Sequence, residues 1–231
     1  MKKHDLSRRK FIQQTAVATS SVYLLPTITF AQKNNDQTSY QPQYFTPEEW
    51  DFINAITDHL IPEDELGGGA IIAGVPEFID RQMLTSFGSG ELFYMHGPYH
   101  IDALPTLGYQ EQYPPNELYR HAIQQINAFV QKQYQTSFAK LDSEKQLSVM
   151  HEMEAGNIPL EGISSSTTFF NLLWKNTQEG FLSDPKYGGN KNMIGWKLVG
   201  FPGARADFMD FVDQPGEIYP YGPVDIAGKR G

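Results

Sequence analysis

Residues 46–62 read TPEEWDFINAITDHLIP, and how this stretch folds decides the class of the whole chain. Thr46 is a capping residue, Pro47 suits the first helical position, and Glu49 stands three residues beyond Thr46 to complete a capping box. Trp50, Ile53, Ile56 and Leu60 then recur at helical spacing, and Pro62 ends the run. The stretch is an amphipathic helix with both ends written into it.

The same grammar repeats downstream. After the glycine-rich connection ELGGGAIIAG (65–74), a second helix is expected from near Pro76, carrying Phe78, Ile79, Met83 and Leu84 and closing near Phe87-Gly88. A third starts at Asn116, with Leu118, Ala122, Ile126 and Phe129/Val130 on one face. A fourth runs from about Asp142 through Leu147, Met150 and Met153 to a cap at Gly156. A fifth spans Ser164 to Gln178 and is closed by Glu179-Gly180, and a short one covers Met193 to Val199. Between Ser89 and Pro115 the chain is rich in Gly, Pro, Tyr and His without periodicity, which predicts a long ordered loop. No alternating strand pattern persists, so the fold class expected is mainly α, one compact helical domain with long Gly/Pro/aromatic loops.

Composition sets the limits on function. The chain has 231 residues, 40% of them hydrophobic, with 15 Phe and 12 Tyr, enough for one core. It has no cysteine, which excludes disulfides, thiolate metal sites and covalent haem attachment in this chain. A net charge of −9 argues against a nucleic-acid partner, because phosphate neutralisation needs a basic face.

The N-terminus has the layout of an export signal: basic MKKHDLSRRKFIQQ, then the moderately apolar AVATSSVYLLPTITFA ending at Ala31. Within it Ser7-Arg8-Arg9-Lys10-Phe11-Ile12 matches the twin-arginine pattern, so residues 1–31 are expected to direct the protein to the periplasm through the twin-arginine translocase. Removing them takes away five basic residues and one acid, leaving 13 basic and 26 acidic residues and a net charge of −13. Residues 32–45 then read as a flexible linker, 46–205 as the helical domain and 206–231 as an extended aromatic, Pro- and Gly-punctuated tail. The twin-arginine route carries folded cargo, yet the chain shows no cofactor motif, which points to a passenger partner.

Other candidate chemistry is incomplete. His96 and His100 have the i, i+4 spacing of a helical metal site, but Gly97 and Pro98 between them oppose the helix that would align them. Asp58-His59 and His151-Glu152 place acid beside base, but neighbours on a helix point about 100° apart, so these pairs read as solvated helix surface. Gly67-Gly68-Gly69 lacks the ending of a phosphate-binding loop and follows a helix rather than a strand. Glu63, Asp64 and Glu65 lack the alternating oxygen ligands of a calcium loop.

One block stands apart: DPKYGGNKNMIGWKLVGFPG, residues 184–203. Asp184-Pro185 and Gly188-Gly189-Asn190 supply turns, including positions that tolerate positive φ. Tyr187, Trp196 and Phe201 are large rigid rings, with Lys191 and Lys197 beside them. Aromatic anchors held on tight turns suit a protein interface; the same rings could instead pack inward, and the sequence allows both for different residues. The interface candidates are Tyr187, Gly188, Gly189, Asn190, Trp196, Lys197, Phe201, Pro202 and Gly203, with Tyr219 and Tyr221 of the tail.

LIPEDELGGGAIIAGVPEFIDRQ (60–82), LFYMHGPY (92–99), LGYQ (107–110) and TQEGFLSDPKYGGNKNMIGWKLVGFPGA (177–204) together resemble the gluconate 2-dehydrogenase subunit 3 family. The resemblance implies a non-catalytic small subunit that stabilises and escorts a large FAD-containing partner of the glucose–methanol–choline oxidoreductase type through twin-arginine export. It implies FAD in that partner and, often, a cytochrome c subunit carrying haem c that passes electrons onward. Such complexes oxidise gluconate, glucose, sorbitol or other polyols, and are membrane-associated through partner subunits. No catalytic, cofactor-binding or metal residue carries over to this chain. The alternatives are a solitary exported binding or scaffold protein and a periplasmic metal-dependent enzyme using His96 and His100.

Overall fold

The computed structural model describes residues 40–100 and 103–231. The expected export signal, with Arg8, Arg9 and Phe11, and residues 32–39 of the expected linker lie outside the described residues. Among those described there are seven α-helices and no strand: α1 (Pro47–Leu60), α2 (Ala70–Ala73), α3 (Val75–Met83), α4 (Pro115–Tyr134), α5 (Ser143–Glu154), α6 (Ser166–Leu182) and α7 (Ile194–Val199). The domain is mainly α.

The first helix forms as its sequence dictates. Both halves of the capping box are made: the Thr46 hydroxyl accepts from the Glu49 amide and the Glu49 carboxylate accepts from the Thr46 amide. Its inner face buries Phe52, Ile53 and Ile56 completely. Helix α6 is the axis of the core, packing against α3, α5, α4 and α1. On it Phe169 lies 6.5 Å from the Phe52 ring and meets Tyr119 of α4 edge-on at 5.3 Å. Each such ring contributes about 1.5–3 kcal/mol by leaving water. Tyr119 is fully buried, and its hydroxyl donates to Asn176 Oδ1 at 2.9 Å, so its polar end is satisfied inside the core.

Five features differ from the sequence reading. The second helix, expected to close near Phe87-Gly88, ends at Met83 with Leu84 as its cap. Ala70–Ala73, read as connection, forms a helical turn capped by Gly74 at φ 76°. Helix α6 does not close at Glu179-Gly180 but runs on to Leu182. Gly180 is there for packing: a Cβ at that position would stand 2.8 Å from the Phe78 ring of α3. His59 is not solvated surface; half-buried, its Nε2 lies 2.7 Å from Gln146 Oε1 on α5, whereas His151 is exposed as expected.

The fifth difference is at the entry to the domain. Residues 40–45, the end of the segment read as a flexible linker, are held by one fully buried carboxylate. Asp80 accepts from the Tyr40 hydroxyl at 2.7 Å and from the amides of Gln43, Tyr44 and Phe45 at 2.8, 3.1 and 2.9 Å. A buried carboxylate is tolerated when its lone pairs are this fully used. Arg120 adds a bond to the Tyr44 carbonyl at 2.6 Å and lies over the Tyr44 ring. Polar composition concealed this clasp, because it depends on a single acid far along the chain.

Candidate subunit interface

The block 184–203 folds as a rigid corner wrapped on the end of α6. Asp184 accepts from the Lys186 amide and starts a 3-10 turn, Pro185–Tyr187. Gly188 follows at φ 99°, a conformation that glycine adopts without steric cost. Gly189 and Gly195 are required by proximity: added Cβ atoms would stand 2.1 Å from the Gly180 carbonyl oxygen and 2.0 Å from that of Phe181. Asn190 is fully buried at φ 45° and bridges the corner internally. Its Nδ2 donates to the Ser183 carbonyl and its Oδ1 accepts from the Gly195 amide, both at 2.8 Å. Asn192 and Met193 also take positive φ, so the path into α7 is a run of left-handed residues held by the surrounding structure.

An ionic pin fastens the corner to α3. Glu77 is 7% exposed and pairs with Arg81 on its own helix and with Lys191 of the corner, each at 2.5 Å. Both carboxylate oxygens are used, the condition under which a nearly buried charge is tolerated.

The expected interface residues separate into two sets. Trp196 is 5% exposed and donates its indole N–H to the Leu182 carbonyl at 2.7 Å. It is a core ring, which corrects its place among the interface candidates: α7 lies flat on the end of α6 and the indole faces inward. Gly188, Gly189 and Asn190 are likewise buried and act as framework. Tyr187 and Phe201 are each 47% exposed and Lys197 is exposed, while Pro202 and Gly203 are half-buried. In the tail Tyr221 is exposed and Tyr219 half-buried. Phe201 meets the Trp196 ring edge-on at 5.2 Å, so the exposed ring is braced by the buried one.

Two apolar surfaces flank the corner. On one side a groove of about 930 Å³ lies between α3 and α6, lined by Phe78, Phe87, Leu92, Phe93, Leu182 and Tyr187. On the other, Leu198 and Val199 of α7 are exposed, and Gly67 approaches Leu198, which brings the triple-glycine loop against α7. That loop is therefore a contact between helices: Gly69 has no room for a side chain beside the Glu63 amide, and Gly68 packs near Ile194. Leu92, Leu182, Leu198 and Val199 were absent from the sequence-derived candidates. Leu198 and Val199 fall within the short helix expected from Met193 to Val199, and only the packing shows that its end is uncovered.

His96 and His100 are both exposed on a segment without helix, flanking a cis Gly97–Pro98 bond. Among the described residues no group of three or more His, Asp or Glu side chains is arranged to hold a metal ion. Asp64 closes a tight turn instead, accepting from the Leu66 amide at 2.8 Å and pairing with Gly67.

A family model described as gluconate 2-dehydrogenase subunit 3 matches residues 47–203, from the first residue of α1 to the end of the corner. No curated protein and no solved structure matches the chain.

Proposed function

The chain belongs to the gluconate 2-dehydrogenase subunit 3 family, a subunit of a dehydrogenase complex, and from that premise we propose that it is the non-catalytic small subunit of an exported, FAD-dependent sugar-acid or polyol dehydrogenase. In this reading a large flavoprotein of the glucose–methanol–choline type carries the chemistry, its flavin accepting the hydride. The small subunit stabilises that partner and carries it through the twin-arginine pathway to the periplasm. A cytochrome c subunit then takes the electrons.

The observation that carries the reading is the family match over a block built as a rigid frame with uncovered apolar edges. The corner holds Trp196 and Asn190 inside while Tyr187, Leu182, Leu198 and Phe201 remain in solvent. Fixed apolar side chains beside a groove supply docking area with little loss of side-chain entropy. Among the described residues no helix is long and apolar enough to cross a membrane.

Purification of the tagged full-length protein from its native cells tests the proposal. The expected result is a second, larger chain with flavin absorption, which reduces a dye when given gluconate or a related sugar acid or polyol. A single colourless chain from the periplasmic fraction would contradict it.

A further inference from the structure

The residues after the family-matched block form a second, separate device. Gly203 and Val224 pair as a parallel bridge, with the Ala204 amide donating to the Val224 carbonyl at 2.7 Å and the Val224 amide to the Pro202 carbonyl at 3.2 Å. Gly203 is essential to this closure, since a Cβ there would stand 2.0 Å from the Val224 oxygen. The Ile226 amide donates to Asp184 at 2.8 Å, which fastens the returning chain to the corner. Residues 204–221 thus leave and re-enter the domain at one point, in the manner of a large Ω-loop.

The loop has its own interior. The Arg205 guanidinium lies 5.2, 5.5 and 5.2 Å from the ring centroids of Phe208, Phe211 and Tyr219. It pairs with Asp210 at 3.1 Å and bonds to the Asp207 carbonyl, leaving its side chain only 19% exposed. One guanidinium thus faces three rings at once, a cation–π cluster inside a loop that has little regular structure. Phe208 faces the guanidinium while remaining 43% exposed, and Met209, Val212, Ile218 and Tyr221 are exposed by 73, 65, 85 and 56%.

We infer that residues 204–221 are a prefolded docking loop whose apolar tips, Met209, Val212 and Ile218, seat in a basic-rimmed apolar groove of the flavin-carrying dehydrogenase subunit. The inference rests on the subunit reading above. Charge selects the occupant: Asp207, Asp210, Asp213 and Glu217 are interleaved with the apolar tips, and Arg205, already paired, is the one base between 204 and 221. A second copy of this chain, net −9, and an anionic lipid surface are both repelled by such a rim, whereas a basic-rimmed protein groove complements it. The loop begins where the family-matched residues end.

The test uses the tagged full-length chain and the flavin-carrying dehydrogenase chain recovered with it. Met209→Asp combined with Ile218→Asp is expected to lower recovered flavin about 10-fold or more, as loss of central interface contacts does, with the helical signal and melting temperature of the free subunit unchanged. Arg205→Ala, which keeps the tips and removes their scaffold, should lower it less, about 3- to 10-fold. Wild-type flavin recovery with both variants would overturn the loop inference and leave the subunit reading intact. A wild-type chain that retains no flavoprotein would overturn both. A free wild-type dimer that the double variant dissociates, or wild-type binding to phosphatidylglycerol vesicles that it abolishes, would replace the occupant and overturn the inference. Loss of helical signal in either variant would place the loop in the core and also overturn it.

Discussion

Residues 184–203 and residues 204–221 adjoin in the chain and draw on the same materials, glycine, proline and aromatic rings, yet they are built in opposite senses. In the corner two glycines mark close approach of two backbones, Gly189 to Gly180 and Gly195 to Phe181. In the loop Gly216 takes φ 85° with nothing within 4 Å of its absent Cβ; it only turns the chain. The corner places its largest ring, Trp196, inside with its N–H bonded to α6. The loop gathers Phe208, Phe211 and Tyr219 around its own arginine and leaves Met209, Val212, Ile218 and Tyr221 in solvent. Composition cannot separate a frame from a presented surface. The partner of each polar atom and the clearance at each glycine do.

The contrast predicts opposite mutational profiles. Trp196→Ala should have the largest effect, about 3–5 kcal/mol in urea unfolding of the free subunit, because it opens a cavity and frees the Leu182 carbonyl. A change below about 1 kcal/mol would mean that α7 is not part of the frame. Next is Asp80→Asn, which sets an amide N–H₂ among the donors of residues 40–45. We expect about 2–3 kcal/mol and faster proteolytic trimming of that segment, measured by mass spectrometry.

How far these features were legible follows from the range of the signals. Thr46, Pro47, Glu49 and the spacing of Ile53 and Ile56 are local, and α1 begins and ends as they require. The Asp80 clasp joins residues 35 to 40 positions apart, and no periodicity reports it. Gly180 reads as a helix stop by residue type; its position opposite Phe78 exists only once α3 and α6 pack. Trp196 and Phe201 are indistinguishable as rings in the sequence. Trp196 lies on α7 and is buried, whereas Phe201 follows the left-handed turn at Gly200 that ends the helix and is left 47% exposed.

Smaller effects sharpen the comparison. Tyr119→Phe should cost about 1 kcal/mol by leaving Asn176 Oδ1 without its donor. Burial, with a lesser contribution from Glu179, holds the Tyr119 phenol well above its ordinary range. The folded protein therefore keeps this proton after the unfolded chain has lost it. Its contribution is complete below about pH 10, declines as pH rises further, and is absent in the Phe variant, as alkaline unfolding curves of the two would show. Phe201→Ala should be the mildest for folding, under about 1 kcal/mol, while weakening recovery of the flavoprotein about 3- to 10-fold.

The most direct test of the division between frame and docking loop is hydrogen exchange on the free subunit and on the purified flavoprotein complex. The corner amides of Gly195 and Phe201, bonded to Asn190 Oδ1 and the Trp196 carbonyl, should be protected in both states. In the loop, the amides of Asp213 and Ile218, which have no hydrogen-bond partner among the described residues, should exchange readily in the free subunit and slow only in the complex. Equal exchange of the loop in both states, or a corner that becomes protected only on association, would contradict the account.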